Sequence, residues 1–212
     1  MPIGSELLVE RSLHPGRGTN NGRTAVLRRG FTAAYGLGNG GIRQTKVFER
    51  FNTPQEVCNY RLGAALKMER AILEILEVNV KNAANDLVVE LLGSHLEESR
   101  SHAPTVESAF GLLGWEISDS ACPVIDAFEK EGETHIKKAE ATLVDAIVLQ
   151  DAAEIEHYEI GVYENLIVSA RAMHRHDVAE LLQRNAASER AALDRIMALQ
   201  AELAPVRGTG SI

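Results

Sequence analysis

The feature that most constrains the fold of this chain is a set of four long stretches in which apolar residues recur every three or four positions. They run over residues 54 to about 80, 84 to about 113, 139 to about 171 and 177 to about 203. This spacing places the apolar side chains on one face of an α-helix, and long helices bury such faces against one another. An aromatic content of 5% also favours helices over a β-sandwich or barrel. The sequence therefore predicts an all-α protein built as a four-helix bundle.

The connections between these helices predict how the bundle is wound. The first helix starts at "NTPQEV", where Thr53 can cap the helix, Pro54 suits its first position and Glu56 completes a capping box. The first and second helices, like the third and fourth, are joined by a few residues and must form antiparallel pairs. The second and third are joined by "GWEISDSACPVIDAFEKEGETHIKK", with a short helix expected after Pro123. One long crossover is typical of a ferritin-like bundle, which we place at residues 47–204.

The first 46 residues differ from the bundle in charge and in glycine content. They hold seven Lys or Arg against two Glu, a net charge of +5 in a chain of -8, so the remainder carries -13. They also hold nine of the 17 glycines, and little apolar burial offsets their chain entropy. We expect residues 1–46 to be a flexible basic arm and residues 205–212 a flexible tail. Such an arm can bind nucleic acid by neutralising phosphates, but charges scattered among glycines are more typical of a solvated tail.

Two further features bear on the cellular location. No apolar run approaches the ~20 residues that a membrane span needs, and the N-terminus lacks the apolar block of a secretory signal. Cys58 and Cys122 have neither a CxxC spacing nor a nearby cluster of metal-ligating residues. Free thiols in a reducing compartment fit this pattern. We therefore expect a cytoplasmic protein without membrane contact, and we assign the two cysteines no chemistry.

The stretch "AEIEHYEIGVYENLI", residues 153–167, carries four glutamates and one histidine among apolar residues. On a helical wheel, the apolar arc of this helix has Glu159 near its centre and Glu156 toward one flank. Glu154, His157 and Glu164 fall outside the arc and are expected to face water. The pattern therefore predicts two buried carboxylates on the third helix.

The other three helices also combine an apolar arc with inward polar residues. Glu69 lies in the middle of the arc of the first helix, and Glu189 lies within that of the fourth. On the second helix, His95, Glu98 and His102 all fall within the arc. No Lys or Arg falls near the middle of any of the four arcs. Each helix is therefore expected to direct at least one carboxylate into the interior without a basic partner.

Carboxylates buried in this number need a compensating charge, because an ionised carboxylate in an apolar interior is strongly destabilising. A single inward glutamate is more often satisfied by a hydrogen bond to a neighbouring helix or by remaining protonated. Inward glutamates on four helices, together with imidazole, instead favour one or two bound metal cations. The candidate ligands are Glu69, Glu98, His102, Glu156, Glu159 and Glu189. The sequence leaves open the role of His95, and whether Tyr163 and Asn185 support ligands or only fill the core.

The sequence also resembles a known family, the YciE/YciF-type ferritin-like proteins, which carry a domain of unknown function. The resemblance covers residues 48 to about 200 and rests on "FNTPQEVCNYRLGAALKMERAIL", "HLEESRSHAPTVESAFGLLGWE", "SDSACPVIDAFEKEG" and "EIEHYEIGVYENLI", in this order. It implies a ferritin-like bundle, di-iron carboxylate chemistry, frequent dimerisation and an association with stress responses. By position, it implies the same six ligands, with Glu156 and Glu159 coming from "EHYE".

The ligand pattern departs from the usual di-iron arrangement, in which Glu-x-x-His occurs on two helices. Ser101 stands three residues after Glu98, with His102 one place later, and Ala192 stands three residues after Glu189. A second imidazole ligand is therefore expected to be missing, which affects the symmetry of the site and the second metal position.

Pro104 interrupts the pattern of the second helix. A proline has no amide hydrogen to donate, so the carbonyl four residues earlier, that of Arg100, loses its helical partner. We expect the helix to bend just past His102, unless the proline merely ends a helical segment.

Two functions are compatible with this sequence. In the first, the ligands hold iron or another divalent metal, and Fe(II) is oxidised by O2 or peroxide so that iron is detoxified or sequestered. In the second, the bundle is a non-catalytic stress or scaffold module that forms a homodimer or higher oligomer, and its arm binds an acidic partner such as DNA. The first function needs the inward carboxylates, whereas the second should survive the loss of Glu98.

Overall fold

A computed structural model describes residues 50–118 and 120–204, which fall within one compact unit of the chain. These residues form six α-helices and a short 3-10 helix, and they include no strand. The helices are α1 (Pro54–Asn82), α2 (Asp86–Ser99), α3 (His102–Leu113), α4 (Pro123–Lys138), α5 (Val144–Ala172) and α6 (His176–Leu203), with the 3-10 helix at Ala141–Leu143. The all-α expectation is confirmed for this part of the chain. The expectations for residues 1–46 and 205–212 lie outside the described residues.

Helix α1 begins where its capping signal predicts. The Thr53 hydroxyl accepts a hydrogen bond from the amide of Glu56 at 3.2 Å, and the Glu56 carboxylate accepts one from the amide of Thr53 at 3.3 Å. Pro54 occupies the first turn, where its missing amide hydrogen leaves no helical bond unmade. These contacts satisfy donors that would otherwise lack partners, so the sequence fixes the start of α1 locally.

The short loops at one end of each helix pair are tied to a neighbouring helix. The carboxylate of Asp145, at the start of α5, accepts hydrogen bonds from the backbone amides of Ala84 at 2.8 Å and Asn85 at 3.2 Å. In the loop between α5 and α6, the guanidinium of Arg175 donates to the carbonyl of Leu112 at 2.6 Å. Each loop therefore holds its own antiparallel pair against a helix of the other pair.

The second helix expected from the sequence is two helices, α2 and α3, separated at Arg100 and Ser101. Pro104 explains the separation, because it cannot donate to the carbonyl of Arg100. The amide of Ser101 instead donates to the carbonyl of Glu98 at 3.2 Å, a contact one residue shorter than a helical bond. The interruption precedes His102, whereas we expected a bend past it, since a proline disturbs the turn on its N-terminal side.

The crossover between the two pairs lies close against α1. Most of it is α4, which starts at Pro123 as expected but has 16 residues and is longer than a short helix. A Cβ atom at Gly63 would lie 2.2 Å from the hydroxyl oxygen of Ser118 and 2.7 Å from that of Ser120, so only glycine leaves room for this segment. The ion pair between Lys67 and Asp126, at 2.7 Å, holds the start of α4 on α1.

The apolar stripes of the long helices meet in one core. Its largest fully buried apolar side chains include Leu62, Leu66, Met68, Ile72, Leu92, Phe110, Leu149, Leu182 and Ile196. Each side chain of this size contributes roughly 1.5–3 kcal/mol when it is fully buried, so the stripes suffice to hold the helices together. None of the described helices combines the length and the apolar character that a membrane crossing requires.

Candidate metal centre

Six ionisable side chains meet in the interior of the bundle, and we call them the interior cluster. The cluster contains four carboxylates and two imidazoles, each at most 3% exposed. Its members are Glu69 from α1, His95 from α2, His102 from α3, Glu156 and Glu159 from α5, and Glu189 from α6. They lie within the apolar stripes of their helices, so the packing that buries the core also buries these charges.

Two groups of three ligand-type side chains can be drawn from the cluster. Glu69, His102 and Glu189 form one group, while His95, Glu156 and Glu189 form the other. Within each group, one ligand atom of every residue lies within 4.8 Å of the others. Glu189 belongs to both groups, an arrangement that suits two neighbouring cations sharing one carboxylate.

The shortest contacts between cluster members join an imidazole nitrogen to a carboxylate oxygen. Nε2 of His95 lies 2.6 Å from Oε1 of Glu156. Nδ1 of His102 lies 2.6 Å from Oε1 of Glu189 and 3.6 Å from Oε2 of Glu69. The contact between His102 and Glu189 is short, yet neither of its atoms makes a hydrogen bond of acceptable geometry. Of these contacts, that between His95 and Glu156 is a hydrogen bond, whereas Nδ1 of His102 and both oxygens of Glu189 have no hydrogen-bond partner.

Glu159 is the carboxylate with the least support from the protein. Neither of its oxygens has a hydrogen-bond partner among the described residues, although both are buried. Burial raises its pKa well above the usual value, and the neighbouring charges of Glu189, Glu69 and Glu156 raise it further. In the absence of a cation, Glu159 therefore favours its protonated form.

The two histidines and Glu189 also have raised pKa values. Burial lowers the pKa of His102, but its contacts with Glu189 and Glu69 outweigh burial and raise the pKa to about 10. Burial raises the pKa of Glu189 to about 7, although its contact with His102 opposes the shift. For His95, the hydrogen bond to Glu156 outweighs burial and raises the pKa. The cluster thus holds protons that a bound metal cation would displace.

Comparison with known proteins identifies the family. The sequence profile of a family described as "Domain of unknown function (DUF892)" matches residues 53–206. The chain belongs to this family. The matched residues include all six helices and every member of the interior cluster.

Relatives and solved structures agree with the DUF892 assignment. Protein YciF of Escherichia coli (strain K12) is 25% identical over 144 residues, which are 66% of this chain and 85% of YciF. The structure of YcfI from Rhodopseudomonas palustris is 31% identical, covers 69% of this chain and 94% of its own, and has a TM-score of 0.66. That of the E. coli stress protein YciF is 21% identical, covers 72% and 97%, and has a TM-score of 0.69.

A further solved structure links the DUF892 bundle to a broader fold. It is described as ferritin-like, diiron-carboxylate proteins from Bacillus anthracis and has a TM-score of 0.56. Its 15% identity, with coverage of 71% of this chain and 99% of its own, establishes likeness of fold alone. The comparisons confirm the YciE/YciF-type family and the ferritin-like fold that the sequence predicted.

The donor set of this DUF892 chain fits a metal cation. No Lys or Arg is buried among the described residues, so protonated His95 and His102 are the cations that the protein itself brings to the cluster. Buried ligand atoms without a hydrogen bond are Oε2 of Glu69, Nδ1 of His95 and His102, Oε2 of Glu156, and both carboxylate oxygens of Glu159 and Glu189. Leaving so many buried polar atoms unsatisfied is costly, and carboxylate oxygens with imidazole nitrogens are suitable ligands for divalent transition metals.

Tyr163 and Asn185 join the DUF892 cluster to the surrounding helices. The hydroxyl of Tyr163 donates a hydrogen bond to Oε1 of Glu69. The side-chain amide of Asn185 donates to the hydroxyl oxygen of Tyr163 at 2.7 Å and to the carbonyl of His102 at 3.2 Å. Both residues are buried, so this chain of hydrogen bonds fixes the orientation of Glu69. The structure thus favours a supporting role over simple packing.

Glu98 does not lie in the interior cluster, contrary to the helical-wheel expectation. Its side chain is 37% exposed and pairs with Arg195 of α6 at 2.6 Å. The wheel treated α2 and α3 as one straight helix, and their combined arc was wide enough to include Glu98 at its edge. Once α2 ends at Ser99, its buried face is centred on Val88, Leu92 and His95, and Glu98 falls beside it.

His95 is the cluster member whose role the sequence left open. We expected a second imidazole ligand to be missing from the Glu-x-x-His pattern, but the structure places His95 in the cluster, where it is fully buried and contacts Glu156. The position of His95 within the arc of α2 indicated that it faces the interior. It was not counted as a ligand because the Glu-x-x-His pattern relates only residues three apart. The remaining predicted ligands, Glu69, His102, Glu156, Glu159 and Glu189, all lie in the cluster. That they bind metal remains a prediction.

Proposed function

We propose that this protein binds Fe(II) in the interior cluster and oxidises it with O2 or peroxide, in iron handling or in protection against stress. The observation that carries the proposal is the convergence of four buried carboxylates and two buried imidazoles, most of whose polar atoms lack hydrogen-bond partners. Four carboxylates and two imidazoles are also the ligand complement of di-iron carboxylate bundles. The distribution over the helices differs, because α2 and α3 supply both imidazoles and no carboxylate, whereas α5 supplies two carboxylates.

Different residues of the interior cluster would bind each of the two ions in such a site. Glu69, His102 and Glu189 would hold one ion, and His95, Glu156 and Glu189 would hold the other, with Glu159 available to either. Bound iron supplies a reversible one-electron change and a Lewis acid, which oxygen chemistry requires. The surrounding apolar side chains exclude water.

The carboxylates also match the charge change that oxidation demands. Each Fe(II) that becomes Fe(III) adds one positive charge, and anionic oxygen ligands favour the more highly charged ion. The raised pKa values of Glu159 and Glu189 mean that both release protons when a cation binds. Proton release on metal addition is therefore expected along with binding.

The test is metal analysis followed by single-turnover oxidation. Protein loaded with Fe(II) without oxygen should contain about one to two ions per chain, on the scale of known carboxylate bundles. Glu189→Gln should lower this number and abolish rapid oxidation when O2 is added, because Glu189 belongs to both ligand groups. Glu180→Gln, an exposed change on the same helix, serves as the control. A parent protein without bound iron, or equal oxidation by Glu189→Gln and parent, would refute the proposal.

A second function rests on the bundle surface. Large apolar side chains are exposed, including Val168 at 65% and Ile117 at 55%, and such residues are often covered in an oligomer. The E. coli relative is described as a stress protein. These observations support a second proposal, a homodimeric or larger stress or scaffold module. In this proposal the basic composition of residues 1–46 suits an acidic partner.

The same Glu189→Gln variant separates the two functions. A scaffold needs the exposed surface and not the interior carboxylates, so its assembly should be unchanged by the substitution. Analytical ultracentrifugation of parent and variant measures assembly. A monomeric parent would exclude the oligomeric module, whatever the outcome of the iron experiment.

A further inference from the structure

A groove on the surface of the bundle lies where α4 packs against α1 and α5, and none of its lining residues belongs to α2, α3 or α6. It has four carboxylates: Glu74 from α1, Glu129 and Glu133 from α4, and Asp151 from α5. Two buried isoleucines, Ile75 and Ile155, contribute to its apolar floor. No metal-ligand group described above includes any of these residues.

The size of the groove limits what it can hold. Its volume is about 110 Å³, against about 30 Å³ for one water molecule in the liquid. Sites for drug-sized molecules and cofactors span about 300–1,000 Å³. The groove therefore has room for a partly hydrated ion and not for an organic cofactor, and its carboxylates select a cation.

Asn79 provides evidence that does not depend on the acidic residues. It lines the groove and is only 4% exposed. Within the described chain, its side-chain amide makes no hydrogen bond to another protein group, and its polar atoms are not sealed from solvent, so they are open to the groove. An amide oxygen is a ligand that hard divalent cations accept. A cation in the groove would take the place of the water that this amide otherwise meets.

Asp151 is the carboxylate best placed to hold a cation in the groove. Its side chain is 16% exposed, and Oδ1 lies 3.0 Å from Nδ1 of His135, which orients the carboxylate. Residue 132 of α4 lies beside this carboxylate, since a Cβ atom at Gly132 would stand at an ordinary contact distance of 3.5 Å from Oδ2 of Asp151. Glu133 is occupied by Lys137 at 2.7 Å. Asp151 thus combines partial burial with a fixed orientation.

The groove adjoins the interior cluster along both of the long helices that form it. On α5, Ile155 directly precedes Glu156, and Glu159 lies one turn further, a rise of about 6 Å. On α1, Ile75 lies six residues, or about 9 Å, from Glu69. Residues 47–212 carry a net charge of -13, which concentrates cations near the surface of the bundle. The groove and the cluster therefore lie at neighbouring levels of the same two helices.

We propose that the groove binds a divalent metal cation and is the place from which the cation enters the interior cluster. Asp151 and Asn79 hold the ion, while Glu74 and Glu129 attract it from solution. Ile75 and Ile155 form the apolar layer that the ion must pass. The inference rests on the proposed function, because it concerns the supply of metal to that same cluster.

The test follows the loading of Mn(II), which binds carboxylate sites without being oxidised by air and loses its sharp electron paramagnetic resonance signal when bound. Glu74→Gln with Asp151→Asn removes two charges from the groove. Glu180→Gln with Asp194→Asn removes two exposed charges from α6, which does not line the groove. The groove variant should load at least about tenfold more slowly than the parent, the usual lower range for electrostatic guidance. The control should load at the parental rate, and all three should reach the same number of tightly bound ions.

The outcomes separate the inference from the proposed function. If the parent binds no Mn(II) tightly, the interior site fails and the inference fails with it. If the parent loads fully and the groove variant loads as fast as the control, only the inference is overturned. Asn79→Leu keeps every charge and the approximate size of the side chain, so it serves where the double variant does not fold. Slower Mn(II) loading by Asn79→Leu would support entry of the cation through the groove, and loading at the parental rate would overturn it.

Discussion

The two helix pairs of the bundle reach the same interior cluster by different means. Helices α5 and α6 are uninterrupted, with 29 and 28 residues, and supply three carboxylates: Glu156, Glu159 and Glu189. The pair made of α1 with α2 and α3 supplies one carboxylate, Glu69, and both imidazoles, and a break separates the two histidines. Carboxylate positions thus follow from helical periodicity alone. Imidazole positions depend also on where Pro104 ends a helix.

The largest expected effect on Fe(II) oxidation comes from a substitution in the uninterrupted pair, α5 and α6. Glu156→Ala removes a ligand of one group and leaves His95 without its partner. We expect Fe(II) oxidation, measured by stopped-flow absorbance, to fall more than the roughly 10- to 100-fold lost with groups that only support a ligand. The apo bundle should lose stability, because the buried Nε2 of His95 no longer has its hydrogen-bond partner. Oxidation of Fe(II) by Glu156→Ala at the parental rate would show that Glu156 is not a metal ligand.

The interrupted pair provides the next test, because sequence and structure disagree there. His95→Ala removes a buried imidazole, so the affinity for Fe(II) should fall about 10- to 100-fold. Glu98→Ala removes an exposed ion pair with Arg195 and should change the affinity less than about twofold. Anaerobic titration with Fe(II) measures both variants. A larger loss of Fe(II) affinity in Glu98→Ala than in His95→Ala would indicate that Glu98, and not His95, is a metal ligand.

The effect of pH on stability tests the two pairs together. The pKa of Glu189 is about 7 in the fold against 4.5 ordinarily, so its contribution is complete below 4.5 and is lost as pH rises through 7. The pKa of His102 is about 10 against 6.5, so its contribution is lost in the same direction at higher pH. The unfolding free energy of the metal-free protein should fall by on the order of 2 kcal/mol from about pH 5 to about pH 8.

Metal should reverse this loss at neutral pH. A ligand that binds only the folded state adds about 2.7 kcal/mol when its concentration is a hundred times the dissociation constant. Denaturant titrations of metal-free and metal-loaded protein at both pH values measure the difference. Equal stability of the two forms near pH 8 would mean that the cluster does not hold a cation tightly.

Tyr163→Phe tests the hydrogen bonds that connect the pairs. The substitution keeps the ring but leaves Oε1 of Glu69 and the amide of Asn185 without their shared partner. We expect a loss of about 1–3 kcal/mol in unfolding free energy, measured with urea, together with weaker metal binding. A variant with parental stability and parental metal affinity would show that the hydroxyl does not orient Glu69.

The smallest effect is expected one residue from the largest. His157 is exposed and follows the buried Glu156 directly on α5. His157→Ala should leave Fe(II) oxidation at the parental rate and stability within about 0.5 kcal/mol. A collapse of oxidation in this variant would mean that α5 is rotated from the orientation described here.

The sequence predicted most of the fold because its signals are local. Capping at Thr53, the crossover helix after Pro123 and the inward face of α5 each follow from a few neighbouring residues. The burial of Glu69, Glu159 and Glu189 was predicted for the same reason, since each lies on a helix without a break.

The errors concern features that depend on contacts between helices. The wheel could not show that Arg195 of α6 reaches Glu98, nor that His95 faces Glu156 across the bundle. The break at Arg100 changed which residues of α2 and α3 share a face, and its consequences were not visible from periodicity alone. Asn79 had no signal in the sequence, because a buried amide resembles any other polar residue near a helix end.

Gly63 is a position at which a substitution is expected to affect residues that lie far from it along α1. A methyl group in place of its hydrogen would press against Ser118 and Ser120 and displace the segment that leads into α4. Because close-packed elements transmit strain, we expect such a displacement to shift the start of α4 where it packs on α1. Asn79 lies sixteen residues, about 24 Å, along α1 from Gly63. A substitution at Gly63 is therefore expected to act, through α4, on a groove whose residues on α1 lie far from it.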